Sequence, residues 1–207
     1  MKTNDIYQKT IDYYDDDFNS GFAARTATTE EVRPFYDAIL PLLKPGDKIL
    51  DFGCGTGRDS LFFESAGFDV IAWDASDTMC QMAADSGVKN VVKKTFMELD
   101  AECEFDLVWA YASLLHCATK DLPQIFNLVY MSLKQYGKFF VCFKYGEFEG
   151  ERNGRLFNDF TEEKLYKLLK DCNNFIPHKI WTTDDVRTKQ NRSGKWLNAI
   201  LIKGETE

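Results

Sequence analysis

Short apolar runs alternate along the chain with longer helix-like segments. This alternation is typical of a parallel sheet with right-handed helical crossovers. The apolar runs predict strands near residues 47–52, 69–74, 90–94, 105–111, 137–144, 178–184 and 196–203. The segments around them predict helices near residues 58–66, 77–85, 121–134 and 161–172. Because a polar loop without a helix joins the last two strands, the final strand is expected to run antiparallel.

The N-terminal part of the chain precedes this sheet. Residues 1–22 are rich in Tyr and Asp, and Thr28-Thr-Glu-Glu can then cap a helix that ends before Pro45-Gly46. The expected fold class is therefore α/β, with a seven-stranded, mostly parallel sheet and helices on both faces. We expect one domain over residues 1–207, with a helical N-terminal region at 1–45 and an α/β core at 46–207.

A glycine-rich turn follows the first predicted strand. The stretch KILDFGCGTGRDS contains Gly53, Gly55 and Gly57, which tolerate positive φ and let backbone approach a ligand at the strand's carboxyl end. A dinucleotide fingerprint would place its third glycine at Arg58. Asp51, just before the turn, would repel a pyrophosphate and attract a cationic amine. The turn therefore favours a zwitterionic ligand of nucleotide type.

The second predicted strand, Asp69 to Asp74, ends in another carboxylate. Asp74 lies about twenty residues beyond the glycine turn, the separation at which an acidic residue binds the hydroxyls of an adenosine ribose. Strand, turn, helix, strand and terminal acid form one βαβ unit. The alternative is a purely structural turn, which would leave Asp51 and Asp74 unexplained.

These residues resemble those of the class I S-adenosylmethionine-dependent methyltransferases. ILDFGCGTG and VIAWDAS are similar to their first two motifs, FDLVWAYASLLH to the fourth strand with the loop that faces the methyl group, and LKQYGKFFVCFK to the fifth strand. GRDS, FMELD, ASLLH, FKYGEFEGERNGR and WLN are similar to the tellurite-resistance-type branch of small-molecule methyltransferases. The resemblance implies a Rossmann-like fold and S-adenosylmethionine as the cofactor. It leaves the substrate open.

The same resemblance implies further site residues. Cys54, Ala75, Ser76 and Ala110 are expected to contact the cofactor, and Tyr111 is a candidate catalytic residue beside the methyl group. In this family a segment like YYDDDFNSGFAART folds over the cofactor as a lid. Tyr14 would belong to that lid, and Arg25 would pair with the methionine carboxylate, although a surface arginine is the alternative. The acidic run at residues 15–17 is expected to be a solvated face.

The adenine-binding position departs from the family pattern. Where the family usually has an acid after the third strand, this chain has Thr95, followed by Phe96, Met97 and Glu98. Phe96 and Met97 could sandwich the adenine, and Glu98 could replace the missing acid. The alternative is two core apolar residues and one surface acid.

His116 is the most prominent titratable residue, since His178 is the only other histidine. It follows the fourth predicted strand, at the edge where open α/β sheets bind ligands. Its unperturbed pKa near 6.5 suits a general base. Alternatively it packs on the cofactor and hydrogen-bonds a backbone group, because methyl transfer often needs only in-line approach and desolvation.

Two polar segments are candidates for substrate recognition. The first follows the fifth strand and contains Lys144, Arg152 and Arg155. The second precedes Trp196-Leu-Asn198, and Asn198 is expected to face the same pocket or to be satisfied within its strand. Arginines of either cluster would hold an anionic substrate. The basic residues of the second cluster are Arg187, Lys189, Arg192 and Lys195.

The amino-acid composition narrows the range of possible functions. A formal charge of -8 and a pI near 4.9 make a nucleic-acid substrate less favourable. The six cysteines have no metal-ligand spacing and indicate a reduced, cytoplasmic protein without a metal, and no apolar run predicts a membrane span. We therefore expect methyl transfer to a small molecule, in an unknown oligomeric state. The alternatives are a methyltransferase for RNA or protein and a non-catalytic cofactor-binding domain.

Overall fold

The computed structural model describes residues 3–16, 21–172, 175–187 and 194–205. Within these residues seven strands form one sheet. In chain order they are β1 (Lys48–Phe52), β2 (Asp69–Asp74), β3 (Val91–Lys93), β4 (Phe105–Ala110), β5 (Leu133–Lys144), β8 (Phe175–Asp184) and β9 (Lys195–Lys203). Two further strands, β6 (Glu149–Arg152) and β7 (Arg155–Asn158), form a separate hairpin.

The described helices alternate with the strands of the large sheet. They are α1 (Thr3–Asp15), α2 (Thr29–Ile39), α3 (Arg58–Ser65), α4 (Asp77–Asp85), α5 (Leu122–Ser132) and α6 (Glu162–Lys170). Sequence signals explain several of their starts. Thr28 and Glu31 form a capping box at α2, while Ser76 and Thr161 cap α4 and α6.

The sheet has the order β3-β2-β1-β4-β5-β9-β8. β1 pairs in parallel with both β2 and β4, so Leu50 lies between Ile71 and Val108. β9 runs antiparallel to β5 and to β8. The predicted α/β fold with an antiparallel last strand is confirmed. Because the parallel strands end at one edge, the residues that follow β1, β2 and β4 meet there.

Apolar residues cover both faces of the sheet. One core contains Phe126, Phe139 and Phe143, and the other contains Tyr36, Trp109 and Phe140. The second core joins α2 to the sheet, where Trp109 and Phe140 stack with ring centroids 4.1 Å apart. This packing holds α2 beside the carboxyl edge of β4 and β5.

Residues 3–15 form a helix within the N-terminal region that was expected to be helical. The structure differs from the sequence prediction in two places. The polar segment after β5 was expected to be a loop, yet it contains the β6–β7 hairpin, whose turn places Asn153 and Gly154 at positive φ. Asn-Gly is a strong signal for such a turn. β8 begins at Phe175 rather than near residue 178.

Candidate active site

A cavity of about 450 Å³ opens at the carboxyl edge of the sheet. One part, which we call the β1–β2 end, is lined by the glycine turn and by residues that follow β2 and β3. The other part, the β8–β9 end, is lined by side chains of six separate segments. Its members include Phe35, Arg58, Tyr111, Cys142, Asp185, Arg187, Trp196 and Asn198. The cavity therefore joins the predicted cofactor turn to one of the two predicted substrate segments.

The three glycines of the turn have different roles. All have positive φ, at 94° for Gly53, 53° for Gly55 and 85° for Gly57. A Cβ at Gly53 would lie 2.3 Å from Ser113 Cβ, and one at Gly57 would lie 2.6 Å from a Val88 methyl. At Gly55 the nearest atom is a Phe22 ring carbon at 3.8 Å. Gly53 and Gly55 line the cavity, whereas Gly57 starts α3 and lies outside the lining.

Asp74 lies at the cavity wall, as the ribose prediction requires. Its Oδ2 accepts a hydrogen bond from the Gly55 N–H at 2.9 Å, and its Oδ1 accepts one from the Ser76 N–H at 3.0 Å. Burial raises the pKa of the carboxyl group, and these backbone bonds oppose the rise. The two bonds fix the orientation of the carboxylate, and each oxygen retains a lone pair. Ala75, Ser76 and Cys54 line the cavity beside it.

Asp51 does not face a ligand amine. It is buried, lies outside the cavity lining and accepts a hydrogen bond from the Ser60 hydroxyl at 2.6 Å. Burial, and secondarily the nearby Asp59, raises the pKa of Asp51 to about 8. The sequence placed Asp51 correctly at the end of β1, but its side chain points beneath the turn. Ala110 is likewise fully buried and outside the lining.

Arg58 and Asp59 form an ion pair that the sequence analysis missed. Arg58 donates to Asp59 through Nε at 2.6 Å and through Nη2 at 2.8 Å. Asp59 also accepts hydrogen bonds from the Tyr36 hydroxyl and from Trp109 Nε1. Burial opposes ionisation, yet Arg58 and these donors lower the pKa of Asp59. The Arg58 guanidinium lies 4.9 Å from the centre of the Tyr111 ring, at the cavity wall.

His116 is held by two hydrogen bonds. Its Nδ1 lies 2.6 Å from the carbonyl oxygen of Leu156, which can only accept, so Nδ1 carries the proton. Its Nε2, 2.7 Å from the Tyr14 hydroxyl, therefore accepts. The Tyr14 hydroxyl in turn accepts from Arg155 at 3.3 Å. This chain connects α1, the loop after β4 and the β6–β7 hairpin.

The two hydrogen bonds of His116 affect its ability to act as the predicted general base. Burial lowers the pKa of His116 to about 3, and the bond to Leu156 opposes this only in part. A neutral ring with such a pKa is a weak base, and its lone pair is already occupied. The geometry favours the packing alternative for His116, and a direct catalytic role stays a prediction. Tyr111 lines the cavity as predicted, with burial raising its pKa.

The N-terminal segment covers the β1–β2 end. Tyr14 and Phe22 line the cavity with ring centroids 4.8 Å apart. Arg25 is exposed and outside the lining, and it donates to the Tyr13 hydroxyl at 2.9 Å, so it does not face a ligand carboxylate. Asp15 is not simply solvated, since it accepts from the Ser76 hydroxyl at 2.6 Å and so joins α1 to α4. Asp17 lies outside the described residues.

The structure places only some of the predicted adenine-binding residues at the cavity. Phe96 and Met97 line the cavity, and Phe96 packs edge-on against Phe52 at 4.7 Å. Glu98 lies outside the lining, where it accepts from the backbone N–H and the hydroxyl of Thr95. These bonds lower the pKa of Glu98 and make it a helix cap. Its side chain therefore lies outside the cavity, and a contact with the adenine amine stays a prediction.

The first predicted substrate cluster lies outside the cavity. Arg152 forms a two-point ion pair with Asp159, at 2.9 and 2.7 Å. Arg155 lies over the Tyr13 ring at 4.1 Å, and Lys144 lies 5.4 Å from the Trp196 ring, with burial lowering its pKa. Aromatic neighbours hold these side chains away from the lining. Because these neighbours are far away in the sequence, the contacts could not be predicted from it.

The second cluster does reach the cavity. Arg187 and Asn198 line it, whereas Lys195 is exposed and outside the lining. Arg187 is bound to Asp185 through Nε at 2.8 Å. Burial raises the pKa of Asp185, but the hydrogen bonds from Arg187 outweigh this effect and lower the pKa to about 2. Lys189 and Arg192 lie outside the described residues.

Known proteins share this architecture. Residues 49–137 match the family model described as "Methyltransferase domain". Phosphoethanolamine N-methyltransferase 3 of Arabidopsis thaliana is 30% identical over 135 residues, which cover 62% of this chain and 26% of that protein. The chain thus spans about a quarter of the length of such plant relatives. The probable S-adenosyl-L-methionine-dependent methyltransferase TehB of Haemophilus influenzae is 35% identical over 72 residues, or 35% of this chain and 22% of that protein.

Solved structures extend the likeness to nearly the whole chain. The 1,6-didemethyltoxoflavin-N1-methyltransferase of Burkholderia thailandensis, solved with its substrate and S-adenosylhomocysteine, aligns with a TM-score of 0.81 and 22% identity, covering 99% of this chain and 92% of that one. TehB of Haemophilus influenzae aligns with a TM-score of 0.68 and 17% identity, covering 91% and 67%. The fold is that of the S-adenosylmethionine-dependent methyltransferases. The resemblance drawn from the motifs is confirmed.

The described helices also bear on membrane association. None of those in residues 3–16, 21–172, 175–187 and 194–205 combines the length and apolar character needed to cross a bilayer.

Proposed function

We propose that the protein transfers a methyl group from S-adenosylmethionine to a small molecule and releases S-adenosylhomocysteine. One observation carries the proposal: the carboxylate of Asp74 lies at the wall of a cavity that continues from the glycine turn to a second, chemically distinct end. A single ligand-binding turn would need only the first part. A transferase must hold a donor and an acceptor together.

The residues of the β1–β2 end fit S-adenosylmethionine. The oriented oxygens of Asp74 suit the ribose hydroxyls, and Phe96 and Met97 supply apolar surface for the adenine. The backbone at Gly55 is open to a ligand beneath Phe22. Bound there, the cofactor would supply an electrophilic methyl group on a sulfonium. The chain's own contribution is to orient both ligands and to exclude water, since Tyr14 and Phe22 cover this end.

The size and charge of the cavity support a small acceptor. Small-molecule sites commonly measure about 300–1,000 Å³, and the cavity falls within that range. The net charge of -8 disfavours a polyanionic partner. The six cysteines, which all lie in described stretches, are free thiols and support a cytoplasmic location. The names of the relatives, which include a phosphoethanolamine and a toxoflavin-precursor methyltransferase, agree with small acceptors.

The test is methyl transfer from S-adenosylmethionine with a labelled methyl group. The purified protein is incubated with a cell extract separated into a low-molecular-weight filtrate and a macromolecular fraction. We expect label to enter an extractable compound of the filtrate, with equal release of S-adenosylhomocysteine. Label confined to RNA or protein would contradict the small-molecule assignment. Tight cofactor binding without any transfer would indicate a non-catalytic domain.

A further inference from the structure

The side-chain amide of Asn198 is buried, and its oxygen accepts no hydrogen bond from the described residues. Its side chain is 1% exposed, in the middle of β9 and at the wall of the cavity. The Nδ2 group donates to the carbonyl of Trp181 at 3.3 Å and to Thr183 Oγ1 at 3.2 Å. Because a carbonyl can only accept, this contact fixes which end of the amide faces β8. Oδ1, on the other side, has no hydrogen-bond partner among the described residues.

A second asparagine shows what a satisfied amide looks like in this chain. Asn158, at the end of β7, is also buried. Its Nδ2 donates to the Cys117 carbonyl and to Thr119 Oγ1, both at 3.0 Å, and its Oδ1 accepts from Lys164 Nζ at 2.6 Å. An unsatisfied buried acceptor is costly. Trp73 Nε1 and Arg155 Nε are also buried without a partner among the described residues, but of these three residues Asn198 alone lines the cavity, where a ligand that donates to Oδ1 would satisfy it.

The charges of the cavity wall narrow the ligand further. Among the described lining residues the cations are Arg58 and Arg187, and each is already bound by a neighbouring aspartate. The lining also contains four aspartates, at positions 59, 74, 184 and 185. The charge of each arginine is balanced by its aspartate, and the remaining acidic excess among the described lining residues would repel a substrate anion. The described lining therefore favours an uncharged acceptor over an anionic one.

The apolar part of the β8–β9 end is aromatic. Phe35, Tyr111 and Trp196 line it, and the Phe35 and Tyr111 rings meet edge to face at 5.3 Å. Such walls favour flat ligands, which can pack against ring faces. We infer that the methyl acceptor is an uncharged, planar aromatic or heteroaromatic compound with an N–H or O–H group that donates to Asn198 Oδ1. The inference rests on the proposed function and specifies its acceptor.

The test uses matched compounds on the protein loaded with S-adenosylhomocysteine. Benzimidazole and 2-naphthol carry a donor, 1-methylbenzimidazole and 2-methoxynaphthalene lack it, and 2-naphthoate is an anion. Calorimetry at neutral pH should give the donors an affinity about tenfold or more above their methylated partners, with 2-naphthoate weaker still. Equal affinities within each pair, tighter binding of the anion, or no binding of either donor up to its solubility would overturn the inference.

Two variants complete the test. Asn198→Leu keeps the size of the side chain and removes the unpaired oxygen, so it should remain folded, bind S-adenosylhomocysteine like wild type and bind each donor no better than its methylated partner. Asn158→Leu, the matched control, should lose thermal stability but keep the preference for donors. A preference that survives in Asn198→Leu would overturn the inference. Should Asn198→Leu fail to fold, Asn198→Gln, which moves the oxygen by one methylene, must show the same loss. Failure of the wild type to bind S-adenosylhomocysteine would instead refute the proposed function.

Discussion

The two ends of the cavity are built in opposite ways. The β1–β2 end is built on one βαβ unit, whose Gly53, Gly55 and Asp74 lie within about twenty residues of one another, and Tyr14 and Phe22 cover it. The β8–β9 end is assembled from side chains far apart in sequence, including Phe35, Cys142 and Asn198. The first end offers oriented backbone and carboxylate groups, whereas the second offers ion pairs that are already satisfied and one acceptor that is not. A short sequence motif is enough to form a site for a shared cofactor, whereas a site that selects the methyl acceptor depends on packing between distant segments.

The largest expected effect concerns the ion pair at the β8–β9 end. Arg58→Gln would leave Asp59 as a buried carboxylate without its counterion, so the free energy of unfolding should fall by about 3–5 kcal/mol. The matched control is Arg33→Gln, which breaks an exposed pair with Asp37 and should cost about 0.5 kcal/mol or less. Urea unfolding measures both. Equal losses would mean that the Arg58–Asp59 pair is no more than a surface contact.

The next effect concerns the β1–β2 end. Asp74→Ala removes the carboxylate proposed to bind the ribose, so affinity for S-adenosylhomocysteine should fall by about 2–4 kcal/mol. Asp69→Ala, at the exposed start of the same strand, should leave the affinity unchanged. Calorimetry compares the two variants. An Asp74→Ala variant that binds like wild type would refute the ribose assignment.

A further effect concerns pH. The folded pKa of His116, about 3, lies below its unfolded value, so below about pH 6.5 the unfolded chain binds a proton that the folded chain does not. The stability of wild type relative to His116→Gln should therefore fall as pH decreases from about 6.5 towards 3, by at most about 1.4 kcal/mol per pH unit. Unfolding curves at several pH values measure this difference.

The rate profile gives an independent check on His116. A ring that stays neutral between about pH 5 and 8 contributes no limb to the profile of kcat/KM near pH 6.5. Observation of such a limb in wild type, and its loss in His116→Gln, would restore His116 as a general base.

The smallest effect is expected at Glu98. Its carboxylate caps a short helical turn through Thr95, so Glu98→Gln should change the affinity for S-adenosylhomocysteine less than about twofold. A large loss of affinity in this variant would mean that Glu98 does contact the adenine. The same calorimetric titration provides the readout.

The same contrast explains what the sequence could predict. The strand positions, the glycine turn and the place of Asp74 at the end of β2 depend on patterns within about twenty residues, and those predictions agree with the structure. The side-chain direction of Asp51 could not be predicted, because it depends on Ser60 and the packing under the turn. The position of Arg152 outside the cavity could not be predicted either, because its partner Asp159 becomes a neighbour only when the β6–β7 hairpin forms. The Asn-Gly at its turn was the signal that could have revealed the hairpin.

The predicted lid over the β1–β2 end of the cavity can also be tested. Tyr14 and Phe22 cover the β1–β2 end, and part of the segment between them lies outside the described residues. Hydrogen exchange with and without S-adenosylhomocysteine should reveal added protection at residues 14–25. Equal protection in both states would rule out a lid ordered by the cofactor.

We predict that the glycine turn and Asp74 bind S-adenosylmethionine rather than a dinucleotide. The decisive measurement is calorimetric titration of the wild-type protein with S-adenosylhomocysteine and, separately, with NAD. We expect saturable one-to-one binding of S-adenosylhomocysteine and no comparable binding of NAD. Tight binding of NAD, or no binding of S-adenosylhomocysteine, would contradict this prediction.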